Sequence, residues 1–328
     1  MYAYLILGDN KKLSVLELLS LSKENKFILD KKLILLSKAV DFSRLAYIKK
    51  SYFVVDIFDS GKNIEDGLNK KKLNKLYKND FCVRRINLTD KEVPSEIELS
   101  SIIWRNVSNP KVNLSNPSTR FEFVFTDKKV YLLLLLAQQD KKSMLLRWPH
   151  NRPAFHPTSM TPPFALMLVN LAGAKKGDLF LDPFCGVGGI LIEAGLLGCK
   201  IIGYDKDPKM ISYAKKNLDY FKINNYTIEQ KDALEITKKV DYIVTDLPYG
   251  RHSKLFGKKT KNLASAFLEK AAKVITKKGR VVLVCPSTID VDFGDFKLVD
   301  YLDYYIHSSL TRRVYILEKR KKRGKDKT

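Results

Sequence analysis

The stretch DLFLDPFCGVGGILIEAGLLG, residues 178–198, places an apolar run, an acidic residue, three clustered glycines and a second apolar run in immediate succession. The first run predicts a buried β-strand, and the second predicts an amphipathic helix. Glycines between them permit a tight turn and let a ligand approach the backbone closely. We therefore predict a strand, a glycine-rich turn and a helix, the first unit of an open α/β sheet.

The three strands predicted after this unit also end near acidic residues. KIIGYD ends on Asp205, which follows the glycines by about 20 residues, the distance at which a Rossmann fold carries the carboxylate for ribose hydroxyls. IEQKDALEI supplies Asp232 and Ala233, and the strand in DYIVTDLPYG ends on Asp246. Open α/β sheets bind ligands at the carboxyl ends of their strands, so we expect these residues and Asp182 to line one site.

The sequence DPFCGVGGILIEAG closely resembles motif I of the methyltransferases that act on exocyclic amines of bases, and it departs from the G-x-G-x-x-G pattern of NAD sites. This resemblance implies a Rossmann-like class I methyltransferase domain with S-adenosyl-L-methionine as its cofactor. It also implies that Asp232 and Ala233 hold the adenine ring. The cofactor-binding residues carried over in this way are Asp182, Gly186, Gly188, Asp205, Asp232 and Ala233.

The tetrapeptide DLPY, residues 246–249, resembles the family sequence of Asp or Asn, two prolines and an aromatic residue. An exocyclic amine is a poor nucleophile because its lone pair is delocalised into the ring. Asp246 and the carbonyl of Leu247 could each accept one amine N–H, while Tyr249 stacks on the base. We therefore assign catalysis to Asp246, Leu247, Pro248 and Tyr249; Leu247 replaces the usual proline but keeps the carbonyl.

The segments FCVRRINL, a helix bearing IIW, VNLSNP and FEFVFTDKKVYL occur in an order that resembles a THUMP domain, an RNA-binding module of tRNA-modifying enzymes. VNLSNP stands where that family usually has V-D-L-x-N-P. An unrelated α/β domain is the alternative. If the resemblance holds, Arg84 and Arg85 are candidate contacts to RNA.

The charge of the chain points to a polyanionic partner. Lys and Arg total 59 against 36 Asp and Glu, a net charge of +23. A lysine-rich proteome would be the alternative explanation. RHSKLFGKKTKN, residues 251–262, is predicted to be a basic loop that contacts backbone phosphates or is merely solvated. Its basic residues are Arg251, Lys254, Lys258, Lys259 and Lys261.

Other features bound the class of protein. The longest apolar run, VYLLLLLA at 130–137, is too short to cross a bilayer and is typical of a buried strand. The start of the chain lacks a secretory signal, so we expect a cytoplasmic protein. Its cysteines and histidines show no metal-ligand spacing, so we predict no metal site and no disulfide framework. A monomer is the default expectation.

The predicted organisation has an N-terminal ferredoxin-like α/β subdomain, a THUMP-like RNA-binding domain, a proline-rich linker, a methyltransferase domain and a basic tail. Within the first of these, FSRLAYIKK is predicted to be helical, and KVN in the second is predicted to be a strand. The boundaries are 1–75, 76–145, 146–163, 164–320 and 321–328.

Over nearly the whole chain, this order of modules resembles the archaeal-type tRNA methyltransferases that modify N2 of guanosine at position 10. The resemblance implies that HPTSMTPPFALMLVNLAG lies over the methionine end of the cofactor, with Thr161 as a contact, and that two methyl groups are added. Three alternatives stay open: an N2-methyltransferase for guanosine 6 of tRNA, a DNA adenine-N6 methyltransferase, and a tRNA-binding protein without catalysis.

Overall fold

The structure is a computed structural model that describes residues 1–8, 11–157, 159–248 and 254–320; for residue 141 and residues 254–259 the backbone alone is described. The chain divides into two compact units. Unit 1 comprises Met1–Ser43 and Tyr47–Gln139, and unit 2 comprises Arg44–Ala46 with the chain from Asp140 onwards. Both units are α/β, as the sequence predicts.

Unit 1 is built on a seven-stranded sheet in the order β2-β3-β1-β4-β7-β6-β5. Neighbouring strands are antiparallel, except for the parallel pair β5 and β6. The strands are β1 (Tyr2–Ile6), β2 (Ile28–Asp30), β3 (Leu33–Leu36), β4 (Ile48–Asp59), β5 (Phe81–Asn87), β6 (Thr119–Phe125) and β7 (Lys129–Gln138). The helices are α1 (Lys11–Ser22), α2 (Ile64–Gly67), α3 (Lys70–Leu76) and α4 (Glu96–Asn106).

The sheet of unit 1 contains strands from both of the predicted N-terminal regions, residues 1–75 and residues 76–145. Strand β4 from the first region pairs with β7 from the second along most of its length, from Lys50 opposite Gln138 to Asp59 opposite Lys129. The two regions therefore share one sheet, and the chain passes into unit 2 at Asp140.

Two local predictions in unit 1 were wrong. FSRLAYIKK forms only a short 3-10 turn at Phe42–Arg44, because β4 begins at Ile48 and pairs with β1 and β7. The strand predicted at KVN is reduced to one bridge between Val112 and Phe81. Beyond that bridge, Asn113 Oδ1 accepts hydrogen bonds from the N–H groups of the two residues that follow Leu114, which turns the chain instead of extending it.

Unit 2 is built on a second seven-stranded sheet, in the order β10-β9-β8-β11-β12-β14-β13. The first five strands in this order are parallel, and β14 is antiparallel to both of its neighbours. The strands are β8 (Leu179–Asp182), β9 (Lys200–Asp205), β10 (Tyr226–Gln230), β11 (Val240–Asp246), β12 (Ile275–Pro286), β13 (Phe296–His307) and β14 (Leu310–Lys319). The helices are α5 (Lys141–Leu145), α6 (Pro162–Ala172), α7 (Gly189–Leu196), α8 (Pro208–Tyr220) and α9 (Lys254–Val274).

The strand order of unit 2 reverses at β8. From β8 the chain builds outwards through β9 and β10, and then returns to place β11 against the opposite side of β8. Ligands of open α/β sheets bind beyond the carboxyl ends of the strands at such a reversal. The predicted strand–turn–helix unit of residues 178–198 therefore stands at the position in the sheet where a ligand site is expected.

The basic segment after the tetrapeptide was predicted to be a loop, and from Lys254 onwards this was wrong, because it forms the start of α9. The helix is held by a buried stripe with helical spacing: Ala264, Phe267, Leu268 and Ala271 pack in the core of unit 2. Lys254, Lys258, Lys259 and Lys261 are thus helical residues. Among the residues that the structure describes, no helix has both the length and the apolar character needed to span a membrane.

Gly203 provides a test of the packing behind the glycine-rich turn. A methyl group on this residue of β9 would lie 2.5 Å from Leu191 Cδ1, 2.7 Å from Ile228 Cδ1 and 3.1 Å from Cys185 Sγ. We expect Gly203→Ala to lower the free energy of unfolding by about 1–3 kcal/mol because the core is overpacked. Chemical denaturation measures this. Lys200→Ala, at an exposed position of the same strand, is the control and should change stability by less than about 0.5 kcal/mol. Equal stability of both variants would contradict the packing described.

Candidate active site

The acidic residues predicted to share one site lie at one edge of the unit 2 sheet. Asp182, Asp205 and Asp246 are the last residues of β8, β9 and β11, and Asp232 follows β10 by two positions. Since these strands are parallel, their carboxyl ends face the same way. The structure therefore places the four aspartates at the edge of the sheet where the glycine-rich turn also lies.

Asp182 is buried between the two central strands. Its Oδ1 accepts a hydrogen bond from the Thr245 hydroxyl of β11 at 2.6 Å and one from the N–H of Phe184 at 3.2 Å. Burial, together with the nearby charges of Asp246 and Asp205, raises the pKa of Asp182 to about 7, although these hydrogen bonds favour the ionised form. Asp182 therefore braces the glycine-rich turn against β11.

The glycine-rich turn exposes its backbone on one side. Gly186 has φ +51° and Gly188 has φ +84°, a conformation that side chains rarely adopt. A methyl group on Gly186 would meet no atom within 4 Å, so a ligand can approach the backbone there. The N–H of Gly186 donates to Asp205 Oδ2 at 3.0 Å, which ties the end of β9 to the turn.

Asp232 and Ala233 form a second part of the same edge. Asp232 begins a 3-10 turn, accepts the N–H of Leu234 at 3.0 Å and pairs with the Lys206 ammonium at 2.8 Å. Partial burial acts to raise the pKa of Asp232, but the Leu234 N–H and Lys206 outweigh it and lower the pKa. Ala233 is buried in the core of unit 2.

The proline-rich segment packs against the rest of unit 2. Ala154 exchanges two hydrogen bonds of 3.0 Å with the buried side chain of Asn217. Met160 lies at the glycine-rich turn, since its Cβ is 3.7 Å from the point where a methyl group on Gly189 would stand. Thr161, the predicted cofactor contact, is half-buried and immediately precedes α6.

Arg152 is a candidate site residue that the sequence analysis missed. Its side chain is buried, and its Nε and Nη2 donate to the carbonyls of Arg147 and Met160 at 2.8 and 3.2 Å. Within the described part of the chain, the buried Nη1 has no hydrogen-bond partner, and it lies 3.4 Å from the methyl position of Gly189. The only signal in the sequence was an Arg-Pro dipeptide in the proline-rich segment.

Arg152 lies near a second arginine and a buried glutamate. Glu193 of α7 is buried and pairs with the Arg147 guanidinium at 2.9 Å. Burial lowers the pKa of Arg152 to about 10, Glu193 opposes this and Arg147 adds to it. Two guanidinium groups therefore share one carboxylate beside the amino end of α7, whose dipole also favours a negative ligand.

Asp246 is paired with an arginine that the sequence analysis also missed. Its Oδ2 lies 3.2 Å from Nη2 of Arg312 on β14. Leu247 is buried and donates its N–H to the carbonyl of Val284, whereas Pro248 is exposed. This hydrogen bond fixes the backbone directly after Asp246. Tyr249, the predicted stacking residue, lies outside the described residues.

The predicted RNA contacts fall in three groups: two arginines of unit 1, one arginine after the tetrapeptide, and three lysines of α9. Arg84 pairs with Glu96 at 3.5 Å, and Arg85 donates to the carbonyls of Val93 and Pro94 at 2.9 and 3.0 Å, so both side chains have partners within unit 1. Arg251 lies outside the described residues. For Lys254, Lys258 and Lys259 the structure gives a helical backbone and no side-chain contacts.

Two family models match the chain. The model of UPF0020, described as an RMKL-like methyltransferase domain, matches residues 149–293, a range that contains the glycine-rich turn and the four aspartates but neither Arg147 nor Arg312. The model of N6_N4_Mtase, described as DNA methylase, matches residues 18–216. This second range begins inside unit 1 and ends within α8, before Asp232 and Asp246.

Curated relatives extend the similarity over both units. A tRNA (guanine(10)-N2)-dimethyltransferase of Methanothermobacter thermautotrophicus is 33% identical over 84% of this chain and 84% of its own length. One of the same description from Methanocaldococcus jannaschii is 35% identical over 75% of this chain and 69% of its own. The crystal structure of TrmN from Thermus thermophilus aligns with a TM-score of 0.53 at 20% identity, covering 97% of this chain and 99% of that one, and so shares the fold.

The buried carboxyl of Asp182 predicts a pH dependence of stability. Its pKa is about 7 in the folded protein and about 3.9 in an unfolded chain, so between these values only the folded state holds the proton. The stabilisation is complete below about pH 4 and is lost as the pH rises through about 7. Asp182→Asn keeps an acceptor for Thr245 but cannot titrate. The melting temperature of the wild type relative to this variant should therefore fall as the pH rises from about 4 to about 7. A difference that is constant with pH would contradict the buried, protonated state.

Proposed function

Because the chain belongs to the family of tRNA (guanine(10)-N2)-dimethyltransferases, we propose that it transfers methyl groups from S-adenosyl-L-methionine to the N2 amine of guanosine 10 in tRNA, one and then a second. The observation that carries this proposal is the placement of Asp246 at the sheet edge that also bears the glycine-rich turn. This arrangement can hold an amine next to a nucleotide-like cofactor.

The residues of the turn fit the proposed cofactor. Gly186 offers open space above its backbone, and the buried Nη1 of Arg152 can donate to the carboxylate of a methionine group lying at the turn. Asp205 would bind the ribose hydroxyls, and the adenine ring would lie against Asp232 and Ala233. When bound there, S-adenosyl-L-methionine supplies a methyl group carried on a positively charged sulfur.

Asp246 and Leu247 would activate the amine. The N2 lone pair is delocalised into the guanine ring, and it becomes available when the nitrogen turns pyramidal. A carboxylate and a backbone carbonyl that each accept one N–H favour this shape, and they are already held in place by the hydrogen bond of Leu247 to Val284. Asp246 can also take the proton that the nitrogen loses. Pro248 and Tyr249 would shape the pocket for the base.

Unit 1 would supply the contacts that select the tRNA. A guanine within a stem must leave the stack before its amine can react, which costs a few kcal/mol. An A-form helix hides its base sequence in a deep groove, so the enzyme would read the shape of the tRNA and hold it at a distance from the reacting base. We assign this role to the THUMP-like module of residues 76–145, with the reaction in the cytoplasm, where tRNA is found.

A second candidate is methylation of adenine in DNA, which the match to the DNA methylase model favours. Incubating the full chain with cofactor labelled in its methyl group, and with either unmodified tRNA or duplex DNA, separates the two. We expect label in tRNA alone, recovered at position 10 as mono- and dimethylguanosine by nucleoside mass spectrometry. Label in DNA would favour methylation of adenine in DNA. Label at guanosine 6 would identify guanosine 6 of tRNA as the methylated nucleotide. Binding of tRNA without any label would indicate a tRNA-binding protein without catalysis.

The role of Asp246 predicts a separation between binding and turnover. We expect Asp246→Ala to slow methyl transfer roughly 100-fold or more, by analogy with the loss of one preorganised oxyanion-hole donor, and to leave cofactor affinity close to that of the wild type. Single-turnover kinetics and calorimetry measure the two quantities. Asp295→Ala removes the same charge from an exposed position of unit 2 and should alter neither. Loss of cofactor affinity in Asp246→Ala would contradict this division of roles.

A further inference from the structure

Arg312 lies against Asp246 because of the strand order at the far side of the sheet. Strand β14 is inserted between β12 and β13, and Arg312 stands opposite Pro286, the last residue of β12. Asp246 stands opposite Val284 on the other side of β12. The guanidinium reaches past the end of β12 to Asp246 Oδ2, at 3.2 Å.

The guanidinium is held in this position by packing as well as by charge. It lies over the ring of Phe164, 5.9 Å from the ring centre, and Phe164 is itself buried and stacked on Tyr304 with ring centres 4.2 Å apart. The Arg312 side chain is only 12% exposed. A side chain restricted in this way acts as a fixed counter-ion, unlike a lysine or arginine on the surface.

The surroundings of Asp246 would otherwise oppose its ionisation. From the flanking strands it faces the buried thiol of Cys285, which is neutral, and the buried carboxyl of Asp182, which becomes negative only when it loses its proton; Asp205 is a further carboxyl at the same edge. Arg312 brings a positive charge to this group of acids, and Phe164 adds no charge from α6. Neighbouring carboxylates disfavour each other's ionised form, and a guanidinium in contact reverses this for the carboxylate it touches.

We propose that Arg312 is a positioning residue for methyl transfer, which keeps Asp246 ionised and oriented so that the carboxylate can accept the amine N–H and then its proton. This inference rests on the proposed function. The nitrogen–methyl bond forms as the sulfur–methyl bond breaks, the bonding electrons stay on sulfur, and the proton passes from nitrogen to the Asp246 carboxylate. A neutral carboxylic acid at Asp246 has no capacity for that proton.

The neighbouring residue offers a matched control. Arg313 pairs with Asp303 on β13 through two contacts of 2.6 and 2.8 Å, and its guanidinium lies over Tyr301. It has the same side chain, on the same strand, and its carboxylate partner is not in the active site. Arg312→Gln and Arg313→Gln therefore remove the same charge, and Arg312→Lys keeps the charge while it changes the geometry.

The test measures the single-turnover rate of methyl transfer to unmodified tRNA as a function of pH, with cofactor affinity and melting temperature for each variant. We expect Arg312→Gln to lower the rate near neutral pH by about tenfold or more. We also expect the acidic limb of the pH–rate profile, where the rate rises with pH, to move to higher pH by about one unit or more. Loss of the guanidinium raises the pKa of Asp246, so more of it is protonated at a given pH. Cofactor affinity should stay close to that of the wild type.

The other variants decide between outcomes. Arg312→Lys should keep the acidic limb near the wild-type position at a reduced rate, and Arg313→Gln should match the wild type throughout. An unchanged rate and limb in Arg312→Gln would overturn the inference while leaving the proposed function intact. No methyl transfer by the wild type would instead defeat the proposed function. If Arg312→Gln does not fold, an upward shift of the limb in Arg312→Lys, which retains the charge, would overturn the inference.

Discussion

The hydrogen bond between Asp182 and Thr245 joins β8 and β11, the two strands between which the order of the unit 2 sheet reverses. The same carboxyl oxygen accepts the N–H of Phe184 at the start of the glycine-rich turn. One buried group therefore fixes the turn, the end of β8 and the strand that carries Asp246. Because buried polar groups without partners are costly, this arrangement has few alternatives in a folded sheet.

The rest of the site follows from the electrostatics of that arrangement. The four aspartates at this edge would repel one another if all were equally ionised. In the structure, each has a different environment. Asp182 is buried and favours its protonated form, Asp232 is paired with Lys206, and Asp246 is paired with Arg312. Near Gly189, Arg147 and Arg152 share the carboxylate of Glu193. The edge thus presents different chemistry at each strand.

Sequence reasoning predicted the parts of this site that depend on neighbouring residues. The strand, turn and helix of residues 178–198 and the acids at the strand ends could be placed because each is signalled within a few positions. Arg152 and Arg312 were missed because their roles arise only when distant segments meet at the sheet edge. The same limit explains the wrong helix prediction in FSRLAYIKK, because strand pairing on both sides of β4 outweighs the helical pattern. It also explains the wrong loop prediction from Lys254 onwards, because apolar residues later in α9 pack in the core and hold this segment in the helix.

In the proposed reaction, the carboxylate of Asp246 acts on the N2 amine of one guanosine. The most direct measurement compares two tRNA transcripts that differ only at position 10, one with guanosine and one with inosine, which lacks the N2 amine. With cofactor labelled in its methyl group, we expect label in the guanosine transcript, recovered as N2-methylated guanosine, and none in the inosine transcript. Equal labelling of both transcripts would contradict it.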